Sequence, residues 1–131
     1  MPTISWIAVA VATVAAFVLG GLWYGPLFGK PWKRENGFAD DCKPRYPGKV
    51  LFPMTILLNL IAAVVFAMFL GPAPGMGLAI GAGISTGLCW VAPAMIMEHM
   101  YSNRSMTLVA IDAGFPVVMF TLFGVVFAYL G

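Results

Sequence analysis

Residues 4–24 read ISWIAVAVATVAAFVLGGLWY and contain no charged side chain. An α-helix of this length is ~31 Å long, which matches the ~30 Å hydrocarbon core of a bilayer. No water is available there to bind backbone amides and carbonyls, so an apolar segment satisfies them by forming a helix. This stretch therefore predicts a membrane-spanning helix, and it decides the fold class of the chain.

Three further apolar runs follow the first one. They are Val50–Leu70, Met76–Met97 and Leu108–Tyr129, and the only charged side chain among them is Asp112. With residues 4–24, they predict an all-α integral membrane protein, a four-helix bundle that forms a single transmembrane domain over residues 1–131. The longest connection, residues 25–49, is too short for a soluble domain.

The overall composition supports a membrane protein. Of the 131 residues, 61% are hydrophobic and 9% are charged, whereas about a quarter of the residues in soluble domains are charged. A soluble chain of this size would lack the polar side chains needed to cover its surface.

The basic residues predict how the chain is oriented in the membrane. Six of the seven lie between the first and second runs, and the seventh, Arg104, lies between the third and fourth. The positive-inside rule places both of these loops in the cytoplasm and both termini outside, an N-out/C-out arrangement. We expect the bacterial cytoplasmic (inner) membrane as the location.

The first run ends in the aromatic stretch GGLWYGPLFGKPW, residues 20–32. Tryptophan and tyrosine favour the membrane–water interface, and lysine and arginine attract anionic lipids. Glycine followed by proline, at residues 25 and 26, is expected to stop the helix, with room for one interfacial helical turn in the loop. The predicted interface and lipid anchors are Trp23, Tyr24, Trp32, Lys30, Lys33 and Arg34.

Small residues recur at every fourth position in the first and third runs. Because small side chains let helices approach closely in lipid, these ridges predict contact faces, either between the first and third helices or between copies of the chain. The alternative is that the ridges only hold one four-helix bundle together. The predicted packing residues are Ala8, Ala12, Ala16 and Gly20 in the first run and Ala79, Gly83 and Gly87 in the third. A neighbouring ridge of the third run carries Gly77, Gly81 and Ser85.

Few polar groups fall at membrane depth. Glu98 and His99 close the third run, Asp112 lies near the start of the fourth, and Asn59 lies midway along the second. Since a charged side chain is costly inside a bilayer, Asp112 is expected to face the bundle or a polar cavity, with Glu98, His99 or Arg104 as its partner. These groups are candidates for a proton or cation relay, because histidine changes charge near neutral pH. The alternative is a charge network that anchors helix ends.

No recognised catalytic or nucleotide-binding motif occurs in the sequence, so no catalytic residues, metal ligands or enzyme activity are predicted. Cys42 and Cys89 fall at different depths and are expected to remain free thiols. No cofactor is predicted, although a pigment or haem held by His99 together with a partner chain stays open. The basic loop suits membrane lipids better than nucleic acid.

The aromatic stretch resembles a small bacterial membrane family, domain of unknown function 1761. Its members commonly show a G-x-x-W-Y-x-P-x-x-F-G-x-x-W pattern, to which GLWYGP (21–26), FGK (28–30) and Trp32 are similar. WVAP (90–93) and AGF (113–115) are similar to later family motifs. Where the family commonly has N-A-G-Y-H, this chain has DAGFP (112–116). The resemblance implies four membrane helices and carries no activity.

Two hypotheses of function follow, ahead of a third, a lipid-modifying enzyme in which Asp112, His99 and Tyr101 meet near the headgroups but no nucleophile or metal site is recognised. The first is a non-enzymatic membrane protein that acts as a homo-oligomer or as an accessory or structural subunit of a larger membrane complex. The second is a small proton- or cation-coupled transporter or channel that uses the acidic and histidine groups at the cytoplasmic ends of the third and fourth helices.

Overall fold

A computed structural model describes residues 4–38 and 45–131. Cys42 and Lys43 lie outside the described residues. The α-helices are α1 (Trp6–Leu22), α2 (Gly29–Asn36), α3 (Gly48–Leu70), α4 (Met76–Ser85), α5 (Ala92–Tyr101) and α6 (Met106–Leu130). Two π-helical turns, Trp23–Leu27 and Thr86–Val91, extend α1 and join α4 to α5.

Four helical segments are long and apolar enough to cross a membrane, as the sequence predicts. We refer to them as spans one to four, and they run over Trp6–Leu27, Gly48–Leu70, Met76–Tyr101 and Met106–Leu130. No β-strand occurs in the described part of the chain. The all-helical fold class with four apolar helices is confirmed.

The ends of the helices follow from local chemistry. The hydroxyl oxygens of Ser5 and Ser105 accept hydrogen bonds from the amides of Ala8 and Leu108, capping the first turns of α1 and α6. At the other ends, α2 and α3 stop at Gly37 and Gly71, whose φ angles of 76° and 80° are costly for residues with a side chain.

The exit of span one differs from the prediction that Gly25 and Pro26 stop the helix. The chain continues through the π-helical turn to Leu27, with Pro26 inside it. The wide turn forms because the amide of Phe28 donates to the carbonyl of Trp23, five residues earlier, at 2.9 Å. Pro26 has no N–H to donate, but the hydrogen bond that closes this turn comes from Phe28, so the proline does not interrupt it. The helix α2 begins directly afterwards, at Gly29.

Span four lies at the centre of the bundle and packs against spans one, two and three. Phe123 is fully buried and contacts the ring of Phe66 on span two, with centroids 5.9 Å apart. The packing face of span one, at Ala8, Ala12 and Ala16, is also fully buried. The core is therefore built from span four, the small-residue face of span one and residues Ala63, Phe66 and Ala67 of span two.

The packing face of span three contacts span four. A Cβ atom added at Gly83 would collide with the carbonyl oxygen of Phe120, and one at Gly87 would lie 2.6 Å from that of Pro116. The predicted contact between spans one and three is not a packed interface among the described residues. This one alternative was wrong, because small residues mark a close approach without specifying which helix makes it; both ridges pack within the bundle instead.

Both charged connections lie at the same end of the bundle, which we call the loop end. Arg104, in the turn between spans three and four, donates from Nη1 to the side-chain oxygen of Asn36 at the end of α2, at 2.6 Å. At the opposite end, the hydroxyl of Ser5 donates to the carbonyl of Leu130. This placement agrees with the predicted loops, while the side of the membrane that they face stays a prediction.

Candidate functional site

A cluster of polar side chains surrounds Asp112 at the loop end, and we call it the Asp112 cluster. Its members come from the exit of span one, α2, span three and span four: Tyr24, Trp32, Glu98, His99 and Asp112. Asp112 lies in the second turn of α6, and its side chain is 14% exposed. A carboxylate this deeply placed requires hydrogen-bond donors.

Three donors meet the two oxygens of Asp112. The hydroxyl of Tyr24 and the indole Nε1 of Trp32 lie 3.0 and 3.1 Å from Oδ1. Nε2 of His99 lies 2.7 Å from Oδ2. These contacts supply the hydrogen-bond donors that the burial of the Asp112 carboxyl group requires.

The exit of span one brings Tyr24 and Trp32 to the same oxygen. Tyr24 lies in the π-helical turn and Trp32 in the first turn of α2, and their rings meet edge to face with centroids 5.7 Å apart. The turn is tight: a Cβ atom added at Gly29 would lie 2.6 Å from the carbonyl oxygen of Tyr24. Glycine at position 29 thus allows α2 to fold back towards span four.

Trp23 also holds the end of span one against span four. Its indole Nε1 donates to the backbone carbonyl of Ile111 at 2.9 Å, one residue before Asp112. Its ring contacts Phe28 and Phe115, with centroids 4.8 and 6.0 Å away, and a Cβ atom at Gly114 would lie 3.3 Å from it. Trp23 therefore packs on span four directly beside the Asp112 cluster.

His99 lies between two carboxylates. Its side chain is 10% exposed, and Nδ1 lies 2.9 Å from Oε2 of Glu98, whose own side chain is 63% exposed. The two groups are neighbours in sequence and are not aligned for a hydrogen bond, so Nδ1 is buried without one. Glu98 also accepts a hydrogen bond from the hydroxyl of Ser102 at 2.9 Å. A chain of titratable groups thus leads from an exposed carboxylate to Asp112.

The structure brings together three of the four predicted relay residues, Asp112, His99 and Glu98. Of the partners predicted for Asp112, only His99 contacts it directly. Glu98 reaches His99 instead, and Arg104 binds Asn36. Asn59 is half-buried on span two and makes no hydrogen bond to the described members of the cluster.

The predicted lipid anchors divide into two groups. The polar ring atoms of Trp23, Tyr24 and Trp32 bind span four, and none of these side chains is fully exposed. Lys30 and Arg34 are exposed on α2, and Lys33 is half-buried. Contact between any of these six residues and lipid stays a prediction.

Sequence reasoning missed Tyr24 and Trp32 as partners of Asp112. A usable signal was present, because a buried acid needs donors and the aromatic stretch supplies them at the same predicted end of the bundle. Tryptophan and tyrosine also favour the membrane–water interface, and this preference alone explained why Tyr24 and Trp32 occur at the end of span one. Their hydrogen bonds to Asp112 were therefore not predicted.

The cluster is not arranged as a metal site. In the described residues, no group of three histidine, cysteine or acidic side chains could hold a metal ion. Both ring nitrogens of His99 face carboxylates, so neither is presented to a haem iron in this arrangement. What the geometry offers is a place where a proton can reside between acidic and imidazole groups.

Three apolar helices packed around a fourth, central one, with a polar cluster at one end, are features of polytopic helical membrane proteins. Within that class the chain belongs to the family described as Protein of unknown function (DUF1761), whose family model matches residues 7–128. The resemblance carried by the aromatic stretch is confirmed. No curated protein and no solved structure matches the chain.

Proposed function

We propose that the protein is a non-enzymatic component of the bacterial cytoplasmic membrane that works as a homo-oligomer. In this proposal the loop end faces the cytoplasm, and copies of the chain meet through the outer face of span three. The observation that carries it is an exposed ridge of small residues on that span.

The ridge consists of Gly77, Gly81 and Ser85, all of them exposed. Nothing lies within 4 Å of a Cβ atom added at Gly77 or Gly81. The neighbouring ridge, Ala79 to Gly87, is the one that packs on span four. Two small residues four positions apart on an open face favour close association of membrane helices, because backbones can then approach each other.

An apolar groove lies beside this ridge. It has a volume of about 390 Å³ and opens between spans two and three. Phe66 and Phe120 line it from the core, and Ala82, Thr86 and Trp90 line it from span three. A helix of a second copy placed on the ridge would have this groove next to it, which enlarges the surface available for contact.

The test is the mass of the assembly in a native-like bilayer. Gently extracted wild-type particles are expected at multiples of 14.0 kDa in native mass spectrometry. Gly81→Leu should yield monomers, because a large side chain fills the contact face. Gly21→Leu is the matched control, since Gly21 is also exposed and open in span one. Wild-type monomers would contradict the proposal, and foreign chains would make the protein an accessory subunit.

A second candidate function is proton- or cation-coupled transport, and the chain of groups from Glu98 through His99 to Asp112 favours it. The side chains of span four beyond the cluster, such as Met119, Phe123 and Phe127, are buried and apolar, so this candidate takes second place. It predicts a pH-dependent flux in liposomes that Asp112→Asn sharply reduces. Equal flux in wild type and Asp112→Asn would exclude it.

A further inference from the structure

We propose that the outward face of α2 is a binding site for one anionic phospholipid, whose phosphate group is held by Lys30 and Arg34. The aromatic side chains predicted as lipid anchors at this end of the bundle have no part in holding the headgroup. All groups of the site belong to one chain, so the inference does not depend on the proposed homo-oligomer.

The helix α2 presents different side chains to the bundle and away from it. Trp32 donates to the carboxylate of span four, and Asn36 accepts from the turn after span three. Lys30 and Arg34 each precede one of these residues by two positions, which is about 200° around a helix. The two basic side chains are exposed and four positions apart, so they lie together on the outward side.

The other predicted anchors are engaged elsewhere. The polar ring atoms of Trp23, Tyr24 and Trp32 bind span four. Lys33 is half-buried and has an interaction of its own. The one acidic residue of α2, Glu35, is also half-buried. The fully exposed charge on this helix is therefore positive.

The bond from Trp32 to Asp112 sets the depth of α2. Span four has 25 residues and is about 37 Å long, whereas the hydrocarbon core of a bilayer is about 30 Å thick. Asp112 lies six residues after the start of this span, which is about 9 Å along the helix. The contact therefore holds α2 near the boundary between hydrocarbon and headgroups, where its basic face meets phosphate groups.

Exposed apolar side chains adjoin both ends of α2. Leu27 lies just before the helix and is 59% exposed, and Phe38 lies just after it and is 46% exposed. A phospholipid headgroup bound between the two cations places its acyl chains beside such side chains, whereas a soluble anion gains nothing from them. Charge complementarity therefore favours an anionic ligand, and the apolar border favours a lipid.

The chemistry of the two cations defines the class of headgroup. The guanidinium of Arg34 can bind two phosphate oxygens at once, and the ammonium of Lys30 adds a point charge. Phosphatidylcholine carries a quaternary ammonium group close to its phosphate, and that group is repelled by the same two cations. The site should therefore prefer phosphatidylglycerol, which has a net negative charge.

The first experiment measures lipid binding by native mass spectrometry. The detergent-solubilised protein is titrated with phosphatidylglycerol, and separately with phosphatidylcholine of the same acyl chains. Lys30→Gln combined with Arg34→Gln should weaken binding of phosphatidylglycerol by about 25-fold, because each basic residue near an anionic surface contributes about fivefold. Arg45→Gln combined with Lys49→Gln is the matched control. It removes two exposed cations from the same end of the bundle and should leave this binding unchanged.

A second variant tests the depth of α2. Trp32→Phe removes the N–H that binds Asp112 but keeps an aromatic ring and both cations of the site. Because α2 is then held less firmly at the boundary, phosphatidylglycerol should bind more weakly than to the wild type. Unchanged binding would contradict a site that depends on the docked position of α2.

Three further results would overturn the proposal. The first is an equal loss in the two double variants, which would indicate a general attraction of charge. The second is equal affinity for the two lipids. The third is displacement of the lipid by millimolar inorganic phosphate, which would indicate a site for a soluble anion. The double variants alter only exposed side chains, so their comparison decides the matter if Trp32→Phe fails to fold.

Discussion

The indole nitrogen of Trp32 lies 3.1 Å from Oδ1 of Asp112, although the two residues are 80 positions apart in the chain. This contact joins the short helix after span one to the central helix of the bundle. The same oxygen binds the hydroxyl of Tyr24, and the other oxygen lies next to His99. One carboxylate thereby organises the whole loop end.

Replacing Asp112 should destabilise the protein. Asp112→Ala leaves three part-buried donors without their acceptor, and should lower the free energy of unfolding in detergent by about 1–3 kcal/mol or more. Asp112→Asn should cost less, because the amide oxygen can still accept from Tyr24 and Trp32. Thr121→Val is the control on the same helix, since its hydroxyl binds only the carbonyl of Val117. Equal stability of wild type and Asp112→Ala would contradict the structural role of the cluster.

A methyl group at Gly29 should disrupt the exit of span one. Gly29→Ala places a Cβ atom 2.6 Å from the carbonyl of Tyr24, so the turn must open and α2 must move. We expect faster hydrogen exchange of residues 29–36 and altered tryptophan fluorescence. In Gly25→Ala, four residues earlier, the added Cβ atom meets open space. Similar exchange rates in the two variants would show that the tight turn does not position α2.

Two glycines of span three should respond differently to the same substitution. Gly83→Ala forces a methyl group against the backbone of Phe120, and overpacking of this kind costs about 1–3 kcal/mol. Within a single chain, Gly81→Ala places its methyl group in open space, so it should leave the stability of the monomer unchanged within about 0.5 kcal/mol. Thermal unfolding in nanodiscs compares them. A stable Gly83→Ala variant would indicate that spans three and four are less closely packed.

The orientation of the chain can be tested with single cysteines in a background that lacks Cys42 and Cys89. Gly75→Cys, in the short turn between spans two and three, should react with a membrane-impermeant maleimide in intact cells. Lys30→Cys should react only after permeabilisation, because the positive-inside rule predicts a cytoplasmic basic loop. The reverse labelling pattern would place the loop end outside.

Much of the architecture could be predicted from local sequence. Four apolar runs long enough to cross a bilayer indicated four helices, and the structure has them. The expected end of the first helix at Gly25 and Pro26 was wrong, because a π-helical turn carries the chain past the proline. Local rules describe how proline interrupts an α-helix, but they do not say when a wider turn will accommodate it.

The polar site was predictable only in part. Asp112 was expected to face the bundle and His99 to be a possible partner, and both hold in the structure. The contributions of Tyr24 and Trp32 were not expected, since their residue types also suit a membrane interface. The packing of the small-residue ridge of span three against span four was also not predicted, because such a ridge can pack closely against many different helices.

The sequence by itself determined that this chain forms four apolar helices, because the bilayer requires each apolar segment to satisfy its own backbone. It also determined that one acidic side chain would have to find donors at membrane depth. Only the tertiary structure decided which donors these are, since Tyr24, Trp32 and His99 lie 88, 80 and 13 residues away from Asp112. Such distant groups meet only when helix packing and a tight turn place them together.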